Sequence, residues 1–117
     1  MRRSAAAYLS DILEACDAVE AVLSGIDLAA YESNRAIRSA VERELILIGE
    51  AVSVLGRVAP EAVGPISHAR MIVGLRNVLT HGYAAVDDET VFETACADLP
   101  GLRRECAVLL ERMEEAD

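Results

Sequence analysis

Asn34–Val58 reads NRAIRSAVERELILIGEAVSVLGRV, and the way this stretch is buried decides the fold. Ile37, Val41, Leu45, Ile48, Val52 and Leu55 recur at three- and four-residue steps, the spacing of one face of an α-helix. Ile46, Leu47 and Val54 add a second apolar stripe. A helix that is apolar on more than one side belongs at the centre of a fold, touching several other helices and a second subunit. Pro60 closes the stretch, because proline cannot donate to a continuing helix.

Upstream, Leu9, Ile12, Leu13, Cys16, Val19 and Leu23 repeat the helical period opposite Asp11, Glu14 and Asp17, and Gly25 stops this first helix. IDLAAYESN between the two is a short helical turn or linker. Downstream, APEAVGPIS is a connector with two prolines and a glycine. Ser67 is the expected N-cap of a third long helix from His68 to about His81, with Gly82 as its stop. VDDET supplies another cap and an acidic first turn, and helix then runs to about Glu115, kinked or restarted at Pro100. The expected fold is all-α: one domain over residues 1–117, an up-and-down bundle of four to five helices.

The composition agrees. Of the 117 residues 53% are hydrophobic, yet Tyr8, Tyr31, Tyr83 and Phe92 are the entire aromatic content. Ala, Val, Leu and Ile must therefore fill the core, and so apolar a small chain has surface to hide against a partner. The densest apolar run, Leu45–Ile48, lies between Glu44 and Glu50, far short of the roughly 20 residues that cross a bilayer. MRRSAAAYLS has the look of a signal peptide, but Asp11 and Glu14 interrupt any apolar segment. Three cysteines (Cys16, Cys96, Cys106) without a CxxC pair suit reduced thiols in a cytoplasmic protein. A net charge of −9 argues against a general nucleic-acid binder, so any nucleic-acid role must rest on a local cluster of Arg and His.

One such cluster lies in GLRNVLTHGY, Gly74–Tyr83. With about 100° per residue and Arg76 at zero, Met71, Ile72, Leu75, Val78 and Leu79 fall between roughly 200° and 320°, a core-facing stripe. Thr80 and Tyr83 lie within roughly 40° of Arg76, and Asn77 and His81 at roughly 100° and 140°. Arg76 and His81 thus point different ways, about 7.5 Å apart along the axis. Either the arginine bends toward the histidine as the last turn unwinds, or two copies of the face meet across a two-fold axis. Arginine grips phosphate with a fork of donors and histidine moves protons near neutrality. The pair suits metal-free RNA cleavage by the 2′-hydroxyl, giving a 2′,3′-cyclic phosphate and sparing DNA. A histidine before a glycine at a helix end also needs no function, since the macrodipole favours it there.

RNVLTHGY resembles the Arg-x4-His-x-Tyr motif of HepT-like toxins, members of the HEPN group of small helical ribonucleases. AVERELILIGEAV, HGYAAVDDETVF and DLPGL extend the resemblance over nearly the whole chain. It implies a homodimer with the motif at its cleft, acting as a metal-independent endoribonuclease that needs no cofactor. It also implies Arg76 and His81 as catalytic residues and Asn77 as a polar support. A cognate nucleotidyltransferase antitoxin is implied as well, transferring AMP to the motif tyrosine, here Tyr83, and so blocking the RNA cleft. Many relatives carry an aromatic residue after that tyrosine and a tryptophan ahead of the helix; here stand Ala84 and the ISHAR stretch, which offer bases less to stack on.

Glu50 interrupts the apolar helix, so it is either an interface residue or a partner for an arginine, in which role it would orient Arg76. His68 is a first-turn surface residue, and Asp87–Glu89 cap a helix rather than hold magnesium. The rival reading, from another class, is a non-catalytic helical dimer that binds a nucleotidyltransferase and presents substrate, or Tyr83, to it.

Overall fold

The structure, a computed structural model, describes residues 3–64, 66, 69–82 and 86–116. Among them are seven helices and no strand: α1 (Ala5–Leu23), α2 (Leu28–Ser33), α3 (Arg35–Val58), α4 (Pro60–Val63), α5 (Ala69–His81), α6 (Asp88–Ala97) and α7 (Leu99–Ala116). The fold is all-α, as composition and periodicity require.

The starts of α1, α2 and α3 have a chemical reason. The Ser4 hydroxyl accepts from the Ala7 amide at 3.2 Å, the Asp27 carboxylate from Ala30 at 2.8 Å, and the Asn34 side chain from Ile37 at 3.1 Å. These bonds satisfy amide donors that a first helical turn leaves free. At the end of α1, Gly25 takes φ 75°, a left-handed conformation that costs glycine nothing. Pro60 both ends α3 and occupies the first turn of α4, where its missing donor is not needed. The APEAVGPIS connector therefore contains a turn of helix. Pro100 restarts the last helical stretch: α6 ends at Ala97, Asp98 caps it by donating to the Thr94 carbonyl, and Pro100 falls in the first turn of α7.

The long helices lie side by side in the order α5, α3, α1, α7, with α2, α4 and α6 filling the flanks. As expected, α3 is central. Val41, Leu45, Ile48, Val52 and Leu55 are all buried, meeting Leu9, Ile12 and Val19 of α1 and Ile72 and Leu79 of α5 in one core. The second stripe of α3 is covered only in part: Ile46 and Val54 are half-buried, and Leu47 keeps 36% of its surface exposed. Tyr31 turns IDLAAYESN from a linker into a packed helix, because its ring is fully buried 5.3 Å from Phe92. Arg103 of α7 ties to Asp17 of α1 through two hydrogen bonds of 2.5 and 3.1 Å. No helix among the described residues is long and apolar enough to cross a membrane.

Candidate active site on helix α5

The polar motif sits on α5, the outermost helix on its side of the bundle. α5 packs on α3, and among the described residues no other helix makes more than a marginal contact with it. The two run antiparallel: Val52, Ser53 and Gly56 face Ala69, Arg70 and Val73, while Gly49 faces Ile72 and Arg76.

The contact at Gly49 sets the position of Arg76. A Cβ built on Gly49 falls 2.3 Å from Arg76 Cβ, 2.8 Å from Arg76 Cγ and 3.2 Å from the Ile72 carbonyl oxygen. Ordinary carbon–carbon contact is about 3.5–4.0 Å, so only glycine admits the arginine stem here. Arg76 is consequently half-buried, and its Nε is wholly enclosed with no hydrogen-bond partner. A buried, unpaired donor costs stability, and it leaves the far end of the guanidinium as the part that an acceptor from outside the protomer can reach.

This seating corrects the helical wheel. The face of α5 that meets α3 runs through Ile72, Arg76 and Leu79, whereas Val78, expected in the core, is 42% exposed. The wheel sorts residues by polarity, and an arginine with a four-atom stem counts as surface although its stem packs like an aliphatic chain.

His81 is the last residue of α5 and is exposed, with its imidazole at the helix end that favours positive charge. Gly82 donates to the Val78 carbonyl at 2.8 Å and so ends the helix, but it does so without a left-handed φ; among the described glycines only Gly25 has one. Asn77 is exposed on α5, and Glu50, beside Gly49 in sequence, is exposed on α3. Among the described residues no hydrogen bond or ion pair joins Arg76 to His81 or to Glu50 within one protomer. Tyr83, His68 and Ser67 lie outside the described residues, so the expectations placed on them concern positions that the structure does not describe.

Gly49 is the residue that periodicity overlooked. A glycine in mid-helix costs about 1 kcal/mol against alanine and normally has a packing reason, which was the available clue.

A second polar cluster lies where α2, α3 and α6 meet. Arg38 Nε stands 3.7 Å from Asp88 Oδ2, with Glu42 and the Tyr31 hydroxyl close by. Burial pushes the Glu42 carboxyl above the usual range, Asp88 adds to the shift and Arg38 opposes it. Burial likewise raises the Tyr31 phenol, whose oxygen has no hydrogen-bond partner. Asp87 caps α6, accepting from the Glu89 amide at 3.1 Å and from the Thr90 hydroxyl at 2.9 Å. The acidic run therefore serves the helix start. No group of three His, Cys, Asp or Glu side chains among the described residues is placed to hold a metal ion.

Comparison with known proteins bears on the family of the whole chain. The family described as Ribonuclease HepT-like matches residues 12–109. One protein of Methanocaldococcus jannaschii, provisionally named an RNase, is 33% identical over 114 residues, covering 97% of each chain. A second from the same organism, also provisionally named an RNase, is 33% identical over 99% of this chain and 95% of the relative. A Thermococcus cleftensis protein provisionally named ribonuclease HepT is 31% identical over 88% of this chain and 93% of the relative. No solved structure matches the chain. With a family match over residues 12–109 and relatives covered nearly end to end, the chain belongs to the HepT-like ribonuclease family.

Proposed function

We propose that the protein is the toxin of a toxin–antitoxin pair, a metal-independent endoribonuclease that works as a homodimer. The reading rests on one observation above others. In a chain of this family, Arg76 is held at the α3–α5 seam with an unpaired Nε while His81 stands exposed five residues further along.

In the proposed reaction the 2′-hydroxyl oxygen of the substrate ribose bonds to its own 3′-phosphorus. The bond to the departing 5′-oxygen breaks. The His81 imidazole accepts the 2′-hydroxyl proton, and the departing 5′-oxygen takes a proton from solvent water, to which His81 later returns its own. Arg76 supplies hydrogen bonds to the phosphate oxygens as charge gathers on them, a contribution largest where water is excluded. Products are a 2′,3′-cyclic phosphate and a free 5′-hydroxyl. DNA lacks the internal nucleophile.

Because Arg76 and His81 do not meet within one protomer, the cleft is assigned to two copies of α5 facing each other across a two-fold axis. Asn77 and Glu50 are the polar supports beside it. A nucleotidyltransferase antitoxin silences the site by placing AMP on Tyr83, since the added phosphates bring negative charge that repels RNA.

The test is expression of wild-type, Arg76→Ala and His81→Ala protein, followed by cleavage assays in EDTA. Loss of general acid–base help lowers the rate by about 10²–10⁴ for His81→Ala, with growth restored. Full toxicity and full cleavage by the His81→Ala protein overturn the reading. A substrate with 2′-deoxyribose at the cut site stays intact, and mass spectrometry of the normal product finds the cyclic phosphate.

A further inference from the structure

Gly49 has no part in the chemistry proposed above, yet its missing side chain is what lets Arg76 reach its place. An added Cβ would meet Arg76 at Cβ and Cγ, atoms close to the helix axis that cannot swing aside as the tip of a long side chain can. It would also press on the backbone oxygen of Ile72. Relief requires that α5 move away from α3 or rotate about its own axis. Either motion carries the guanidinium with it, because Arg76 leaves the seam with Nε already enclosed and only the far end of its side chain free to adjust.

Gly56, two turns further along α3, makes the contrast. A Cβ built there meets nothing within 4 Å. Both glycines lie in one helix and both would gain similar helix propensity from alanine, so their difference isolates the contact.

We propose that Gly49 is the positioning residue of the site: it forms a notch in α3 that seats the Arg76 stem and fixes where the guanidinium meets a phosphate. The proposal rests on the ribonuclease reading for its effect on rate, while the seating itself is measured without any activity.

The experiment compares Gly49→Ala, Gly56→Ala and Arg76→Ala in the full-length protein. A misplacement of about 1 Å at a reacting group costs on the order of a hundredfold in rate. Gly49→Ala therefore lowers kcat about a hundredfold while KM changes little, and Gly56→Ala stays within about twofold of wild type. In ¹⁵N spectra the Arg76 Nε–H, assigned through its loss in Arg76→Lys, gives a signal protected from solvent exchange. That signal moves or loses protection in Gly49→Ala and is unchanged in Gly56→Ala.

An unmoved Nε–H signal in Gly49→Ala overturns the seating. Unchanged kcat in Gly49→Ala, with Arg76→Ala inactive, overturns the positioning role. If Arg76→Ala itself cleaves normally, the ribonuclease role of Arg76 falls, and the Nε–H signal still decides the seating. Should Gly49→Ala fold poorly, the Gly49→Ala/Arg76→Gly protein decides through thermal melting. Clash with the arginine stem makes the alanine less harmful in the Arg76→Gly background, and equal harm in both backgrounds overturns the proposal.

Discussion

At the scale of single residues, burial without partners makes the sharpest predictions. The Tyr31 hydroxyl is enclosed and makes no hydrogen bond, so Tyr31→Phe removes a cost and keeps the ring against Phe92. Urea unfolding should find Tyr31→Phe as stable as wild type or more so, whereas Tyr31→Ala loses about 3–5 kcal/mol. Glu42 carries a raised pKa, so the folded protein binds its proton more tightly than the unfolded chain does. Stability from this group is therefore greatest at acid pH and declines as pH rises from the ordinary carboxylate range through the folded value. Glu42→Gln removes that decline: its gain over wild type is largest at neutral pH and shrinks on acidification, as denaturation midpoints at several pH values would show. Burial pushes the thiols of Cys16 and Cys106 up to about 12, while Cys96 is exposed. A thiol reagent at pH 8 thus labels Cys96 first, and the other two only on unfolding.

At the scale of helices, periodicity and caps locate the elements, and a single contact between helices can override what they imply about a face. α1, α3 and α5 stand where the spacing of Leu, Ile and Val puts them, and Asp87 caps α6 as VDDET suggests. Asp87→Ala should cost about 1 kcal/mol in thermal or urea melts, because two bonds at the start of α6 go with it. Polarity alone rotates α5, with Val78 inward and Arg76 outward. What turns it is Gly49 on another helix, and no pattern within α5 encodes that. Part of the site was legible: Arg76, Asn77 and His81 could be singled out from type and spacing. Their mutual placement was not, since it depends on which face of α5 meets α3 and on what lies beyond the open face.

At the scale of the whole molecule, the order α5, α3, α1, α7 places the motif helix at one edge and leaves Leu47 and Val78 exposed on the two helices of the seam. A two-copy site predicts that the protein sediments at twice its 12.5 kDa mass and that cleavage per chain falls on dilution below the dissociation constant. Sedimentation at 12.5 kDa with activity retained rules out a shared cleft. Within one protomer, and among the described residues, α5 has one substantial neighbour, whereas α1 and α3 each have several. Helices differ in the free energy needed to open them, and one held along a single seam opens at less cost than the core it leans on. On warming, RNA cleavage should therefore fade at a lower temperature than helical content, and the amides of α5 should exchange before those of α1 and α3. The inactive form reached first is not an unfolded chain but a nearly intact bundle that has let go of one edge.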